Sequence, residues 1–218
     1  MSLAKRVFSD TDQKRFASAS GDFNPIHVDA LQARRTQAGA PVVHGIHLLL
    51  FALDSLAAAQ PDLPALRSIR AQFSKFIYLD EPVEVVVVKQ EPAGVRLNIS
   101  VDDVPRAKIT VSFGDAVETC PDWACGALEP VPHSAVALDC GFEEMLGRSG
   151  RLSFQMTEEE SVTLFPAATH WLGARRVAAL AASTPWLAWS TLACIPSMRN
   201  LRSPPAPNQA REGLLLFA

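Results

Sequence analysis

One long apolar segment followed by alternating segments is the feature that most constrains this fold. Residues 45–60 are apolar almost all round, apart from Asp54 and a few other side chains, which predicts a helix enclosed by the rest of the protein. Beyond it the apolar period changes to two. Four segments are predicted to be strands: residues 68–74, 83–88, 95–101 and 107–113. The second of these is a β-branched run and is predicted to be buried on both faces.

Short turn-forming segments at residues 91–94 and 102–105 join the later strands, which predicts an antiparallel sheet. Each strand has an apolar face, and the helix has apolar residues on all sides. Both become buried if the sheet wraps around the helix. The sequence therefore predicts the hot-dog arrangement, an α+β fold with one long central helix, within residues 1–114.

The second half of the chain carries weaker signals. Residues 115–132 are typical of a linker, and Thr157 with Glu160 predicts a capping box before an apolar stretch that Pro166 interrupts. Residues 175–182 are predicted to be helical, and no complete second series of strands follows. We expect residues 115–218 to hold a linker and a C-terminal helical extension, or an incomplete second hot-dog unit.

Composition limits the classes of partner. The 20 basic and 23 acidic residues leave a net charge of −3, which argues against a nucleic-acid partner. We expect a cytoplasmic protein without a membrane segment, because the N-terminus has no secretory pattern and the longest apolar run is too short to cross a bilayer. No metal or cofactor is expected, since one group fits none of the usual zinc spacings: Cys120, Cys125, His133 and Cys140.

A polar segment before the long helix carries the candidate chemistry. Asp22, Asn24 and His27 lie within six residues around Pro25, so a carboxylate, an amide and an imidazole can converge. Adding water to a carbon–carbon double bond requires one group to take a proton from water and one to protonate the α-carbon. Asp22 and His27 suit these roles, and Asn24 can hold the water or orient its neighbour. The alternative is an ordinary Asx-turn in which His27 caps the next helix.

Gly45 begins the long helix and is a candidate donor to the substrate. Backbone N–H groups at a helix N-terminus can polarise a thioester carbonyl as it gains enolate character, and glycine permits close approach. The alternative is a helix start that needs a small residue for packing. His47 is expected to be a core or interface histidine, and His133 and His170 receive no role.

Two motifs, Asp22-x-Asn-Pro-x-His27 and Val43-His44-Gly45, resemble those of the MaoC-like family of (R)-specific enoyl-CoA hydratases. The resemblance covers about residues 8–113. It implies that Asp22 and His27 are catalytic, that Asn24 assists, and that the Gly45 N–H binds the carbonyl. It also implies a trans-2-enoyl or (3R)-hydroxyacyl thioester substrate, carried by coenzyme A or an acyl carrier protein, and a homodimer formed by sheet pairing.

The expected function is therefore that of a reversible hydro-lyase. A hot-dog thioesterase is one alternative, although hydrolysis does not require an imidazole at this spacing. A non-catalytic hot-dog subunit that binds acyl carriers is another, although it would have no physical need for all four site residues. The second half adds a faint resemblance to the start of the second repeat of double hot-dog proteins, at residues 163–166 and 173–180.

Overall fold

The computed structural model describes residues 1–114 and 155–184, and the backbone of residues 214–217. The predicted linker at 115–132 and the cysteine and histidine group considered for zinc lie outside the described residues.

Among the described residues, the N-terminal part contains four helices and five strands, and three further helices and a strand follow. In chain order the elements are β1 (Ser2–Val7), α1 (Asp10–Ser20), α2 (Pro25–Val28), α3 (Ala30–Ala33), α4 (Gly45–Ala59), β2 (Leu66–Phe73), β3 (Pro82–Glu91), β4 (Gly94–Val101), β5 (Val104–Phe113), α5 (Glu158–Leu164), α6 (Pro166–Leu172), α7 (Ala174–Ala182) and β6 (Leu214–Phe217).

The strands form one antiparallel sheet in the order β1-β3-β4-β5-β2-β6. The four predicted strands are confirmed as β2 to β5. Two strands were not predicted. The sequence of β1 alternates only weakly, and it becomes a strand by pairing with β3, from Ser2 opposite Val86 to Val7 opposite Pro82. Similarly, β6 pairs with β2, from Ser68 opposite Phe217 to Ala71 opposite Leu214.

The long helix α4 lies at the centre of the core, as predicted. Most of its side chains are buried, including Leu49, Leu50 and Leu53, which have no exposed surface. They belong to one hydrophobic cluster with side chains from the sheet, such as Ile99 and Ile109. A sheet wrapped on an apolar helix removes both surfaces from water, which is the main stabilisation of this α+β hot-dog fold.

One prediction about the sheet is wrong. The run at residues 83–88 is not buried on both faces, because Val83 and Val85 are fully buried whereas Val88 is 55% exposed. Within β3 the buried residues alternate with more exposed ones. Only one face of this strand contacts the core, so its outward β-branched residues follow strand propensity rather than burial.

The helices after residue 155 pack against α4. Phe165 and Ala168 are buried in the same cluster as the α4 side chains. Asp54 in α4 accepts a hydrogen bond from the Ala168 backbone N–H at 2.9 Å, and the Trp171 indole N–H donates to the Pro64 carbonyl at 3.0 Å. The predicted capping box of Thr157 with Glu160 and the predicted helix at residues 175–182 are confirmed. A domain boundary at residue 114 and an incomplete second hot-dog unit stay predictions.

No helix within the described part of the chain is both long enough and apolar enough to cross a membrane.

Candidate active site

The loop that carries the candidate chemistry begins where α1 ends. A capping box between Ser9 and Asp12 starts the helix, and Gly21 ends it in a left-handed conformation, with φ of 80°. The Gly21 N–H donates to the Ala17 carbonyl at 2.8 Å. Because this conformation costs other residues roughly 1–2 kcal/mol, glycine is the residue that turns the chain into the core here.

Asp22 follows that turn and is almost completely buried, at 3% exposure. Its Oδ1 accepts the Asn24 backbone N–H at 3.1 Å, and its own N–H donates to Ser20 Oγ at 3.2 Å. Its Oδ2 is buried and has no hydrogen-bond partner among the described residues. Burial raises the pKa of Asp22 to about 6, against the opposing effect of the Asn24 N–H.

His27 lies on α2, a short helix that begins at Pro25. The Asn24 side-chain oxygen caps this helix by accepting the Ile26 N–H at 3.1 Å. The Nδ1 of His27 lies 2.8 Å from the Val42 carbonyl, which can only accept, so Nδ1 carries the proton. Burial lowers the pKa of His27 to about 4, so the ring is neutral near pH 7 and its Nε2 is a proton acceptor.

The structure brings Asp22 and His27 together with a third side chain, His44. Carboxylate and ring nitrogen atoms of the three residues all lie within 4.8 Å of one another. The His44 ring stacks on that of His27 with 3.9 Å between centroids. His44 formed part of the quoted sequence motif but received no role, because its contacts depend on the tertiary fold. A histidine directly before a helix that is predicted to be enclosed is the signal that the sequence offered.

Asn24 acts locally, through its backbone and its cap. Its N–H fixes one oxygen of Asp22, and its side-chain oxygen starts the helix that carries His27. The Asx-turn of the alternative interpretation is therefore correct, but the next helix, α3, is capped by Asp29 and not by His27. The turn does not exclude chemistry, because it uses only Oδ1 of Asp22 and leaves Oδ2.

Gly45 is the first residue of α4, and its backbone is not left-handed. A Cβ at this position would lie 3.2 Å from Cζ of the Phe73 ring, which would have to shift, so close packing favours glycine here. The first N–H groups of a helix have no acceptor within it. The packing interpretation is thus supported, and a carbonyl-binding role for this N–H stays a prediction.

Two other histidines of the described residues, His47 and His170, are not members of the three-residue cluster. His47 is a core side chain, as expected: it is 1% exposed, stacks on Phe16 at 4.4 Å and meets Phe8 edge-on at 4.8 Å. His170 is exposed on α6. His133 lies outside the described residues.

Asp22, His27 and His44 together have the composition of a metal site. Their atoms are largely committed, however. Both ring nitrogens of His44 lie within hydrogen-bond distance of oxygens, at 2.8 Å from Gln13 Oε1 and 3.0 Å from the Asp22 carbonyl. Nδ1 of His27 binds Val42. Only Asp22 Oδ2 and one His27 nitrogen of these three residues remain available as metal ligands, whereas typical catalytic zinc sites use three protein ligands. They suit a water molecule better.

Known proteins resemble part of this chain. "Probable enoyl-CoA hydratase 2" of Dictyostelium discoideum is 26% identical over 97 residues, which cover 43% of this chain and 32% of that protein. The chain thus spans about a third of the length of this curated relative.

Two solved structures resemble the chain with low scores. The (R)-hydratase from A. caviae involved in PHA biosynthesis is 24% identical over 51% of this chain and 92% of its own, with a TM-score of 0.41. A MaoC-like dehydratase from Phytophthora capsici is 21% identical over 52% of this chain and 42% of its own, also with a TM-score of 0.41.

A family profile described as "MaoC like domain" matches residues 3–110, which are the strands and helices that surround α4 and the Asp22–His27 loop. This region, just under half of the chain, therefore belongs to the MaoC-like family of the hot-dog fold.

Proposed function

We propose that this chain is a hydro-lyase that reversibly adds water to a trans-2-enoyl thioester and forms a (3R)-hydroxyacyl thioester. The observation that carries the proposal is the convergence of Asp22 and His27. One contributes a buried carboxylate oxygen without a partner among the described residues, and the other a neutral imidazole whose Nδ1 is already bound. Membership of the MaoC-like family and similarity to a probable enoyl-CoA hydratase support this class of reaction.

In the proposed reaction, Asp22 Oδ2 and His27 Nε2 hold one water molecule between them. The water oxygen attacks C3 of the enoyl group, and a proton is added at C2. The negative charge that develops on the thioester oxygen is stabilised by the N–H of Gly45 at the N-terminus of α4.

The protonation states of Asp22 and His27 indicate which proton is transferred to C2. Above about pH 6 the carboxyl of Asp22 is ionised and His27 is neutral, so neither group brings a proton of its own. The proton that reaches C2 is then one removed from the attacking water. The sequence-based hypothesis that one group removes a proton and the other delivers one therefore reduces to transfer of the water's own proton through the pair.

The same proposal includes the thioester carrier and the assembly. Coenzyme A or an acyl carrier protein presents the acyl group, the chain forms a homodimer, and the protein is cytoplasmic. The carrier and the dimer are expected from the family resemblance, and the cytoplasmic location from the polar N-terminus and the short apolar run.

The test follows the absorbance of the enoyl-thioester band of crotonyl-CoA, with wild-type protein and with His27→Ala, while free thiol is measured in parallel. We expect the absorbance to fall with wild type, to stay constant with the variant, and no thiol to appear. Release of thiol would instead identify a thioesterase. If neither signal changes with crotonyl-CoA or with a crotonyl-carrier protein, the hydro-lyase proposal is wrong and a non-catalytic subunit remains.

A further inference from the structure

We propose that His44 is a positioning residue that holds both members of the candidate pair, Asp22 through a hydrogen bond and His27 through ring stacking. The effect on turnover rests on the proposed function, whereas the effect on the geometry of Asp22 does not.

The contacts of His44 reach both partners at once. Its ring has no exposed surface. Nε2 lies 3.0 Å from the backbone carbonyl of Asp22 and 3.9 Å from the unpartnered Oδ2. The ring face stacks on His27 with an interplanar angle of 26°. One rigid side chain therefore sets the position of the Asp22 backbone and the tilt of the His27 ring.

His44 is itself held from α1. Gln13, which is also fully buried, accepts the His44 backbone N–H on Oε1 at 3.1 Å. Because that backbone group can only donate, the amide oxygen of Gln13 must face His44. The other end of the amide lies 3.5 Å from His47 Nδ1. A buried polar chain thus joins His47, Gln13, His44 and the Asp22 backbone, and fixes the loop after α1 to the start of α4.

The proton on His44 belongs on Nε2. Burial and the neighbouring His27 and His47 lower the pKa of His44, while the Asp22 carbonyl opposes this, so one ring nitrogen carries hydrogen at neutral pH. Gln13 Oε1 already has a donor in the His44 N–H, whereas no other donor to the Asp22 carbonyl is seen among the described residues. In this tautomer Nδ1 and Oε1 are two acceptors that face each other at 2.8 Å, so the assignment requires the buried Gln13 amide to shift slightly away from the ring.

Loss of the Nε2–H would leave a buried carbonyl unpaired and release the loop that places Asp22. An unpaired buried acceptor is costly, so the loop would move toward water. The carboxyl of Asp22 would then lose part of the desolvation that raises its pKa. A changed Asp22 titration is therefore the signature of positioning, which a purely structural role would not produce in the folded protein.

Two variants separate the contacts of His44. In His44→Gln the side-chain amide nitrogen can reach the position of Nε2 and keep the bond to Asp22. In His44→Asn the shorter amide reaches only the position of Nδ1, so the Asp22 bond is lost. We would titrate the ¹³C-labelled carboxyl of Asp22 by NMR in folded wild type and in both variants, and record kcat and KM against pH.

We expect Asp22 to titrate near 6 in wild type and close to that value in His44→Gln. In His44→Asn its titration should move down by about one pH unit or more. The value of kcat should fall by roughly 10²-fold in His44→Asn, as expected when a reacting group is misplaced, with a smaller change in KM.

An Asp22 titration in folded His44→Asn that matches wild type would overturn the proposal. If that variant does not fold, the ¹⁵N spectrum of wild-type His44 decides the matter, because an Nε2 without a proton contradicts the bond to Asp22. If wild type hydrates no thioester while the titration moves as expected, the proposed function fails and the positioning role stands.

Discussion

Two pairs of helices, α1 with α2 near the N-terminus and α5 with α6 after residue 155, begin with the same local sequence signals. Ser9 with Asp12 caps α1, and Thr157 with Glu160 caps α5 in the same way. In both regions the next helix starts with proline in its first turn. The regions differ in what lies between these two helices.

In the first region four residues separate α1 from α2, and they include Asp22 and Asn24. In the second, Phe165 alone separates α5 from α6. That phenylalanine is 1% exposed and lies against Phe16 and His47. One linking segment therefore delivers a carboxylate into the core and the other an aromatic ring. The comparison teaches that helix signals alone do not predict a site, because the polar loop provides the chemistry.

The two regions also differ in how the second helix is capped. The side chain of Asn24 caps the helix that it precedes. Phe165 makes no such bond, and Asp54 of α4 accepts the Ala168 N–H instead. The cap of α2 is thus local, whereas the start of α6 depends on its contact with α4.

The largest expected effect separates the two regions by activity. Asp22→Asn should lower kcat for enoyl-thioester hydration by roughly 10²–10⁴-fold, because it removes a group that exchanges protons with the water. His170→Ala, in the corresponding second helix but exposed, should leave kcat within about twofold of wild type, as surface changes remote from a site do. Initial rates with both variants measure this. Equal losses in the two would mean that the comparison misplaces the site.

The next effect concerns stability against pH. Since the pKa of Asp22 is raised from 3.8 to about 6 on folding, the contribution of this carboxyl to stability falls as the pH rises from about 4 to 6. Asn cannot ionise, so the free energy of unfolding of Asp22→Asn should rise relative to that of wild type across this window, by at most about 3 kcal/mol. Between pH 4 and 6.5, His27, whose pKa is lowered to about 4, raises stability in both proteins.

Urea unfolding at pH 4, 5, 6 and 7 measures that difference. The exposed Asp62→Asn removes the same charge outside the core and serves as the control. A constant difference between Asp22→Asn and wild type at all four pH values would show that burial does not perturb this carboxyl.

The smallest effect tests the dependence of α6 on α4. Asp54→Ala should lower the free energy of unfolding by about 1 kcal/mol, since it removes the acceptor for a helix N-terminus. Asp54→Asn keeps an oxygen acceptor and should cost less. Thermal unfolding with hydratase assays measures both, and kcat should stay unchanged. If Asp54→Ala unfolds like wild type, the contact does not stabilise the C-terminal helices.

Much of the fold could be predicted because its signals are local. The period of two identified β2 to β5, and the all-round apolar pattern identified α4. The capping box at Thr157 marked a helix start correctly. By contrast, β1 could not be predicted, since it owes its structure to pairing with β3. Burial of both faces at 83–88 was wrongly predicted, because β-branched residues favour strands on exposed faces as well as in the core.

For the candidate site, the sequence by itself determined that Asp22 and His27 lie close together, because a proline-containing loop of six residues leaves them little freedom to separate. Only the tertiary structure decided which atoms remain for chemistry. The Val42 carbonyl accepts the Nδ1–H of His27. The His44 backbone N–H donates to Gln13, although the two residues are 31 positions apart. Asp54 and Ala168 are 114 residues apart. Such contacts depend on how α1, α4 and α6 pack, and packing brings together residues whose spacing in the chain carries no signal.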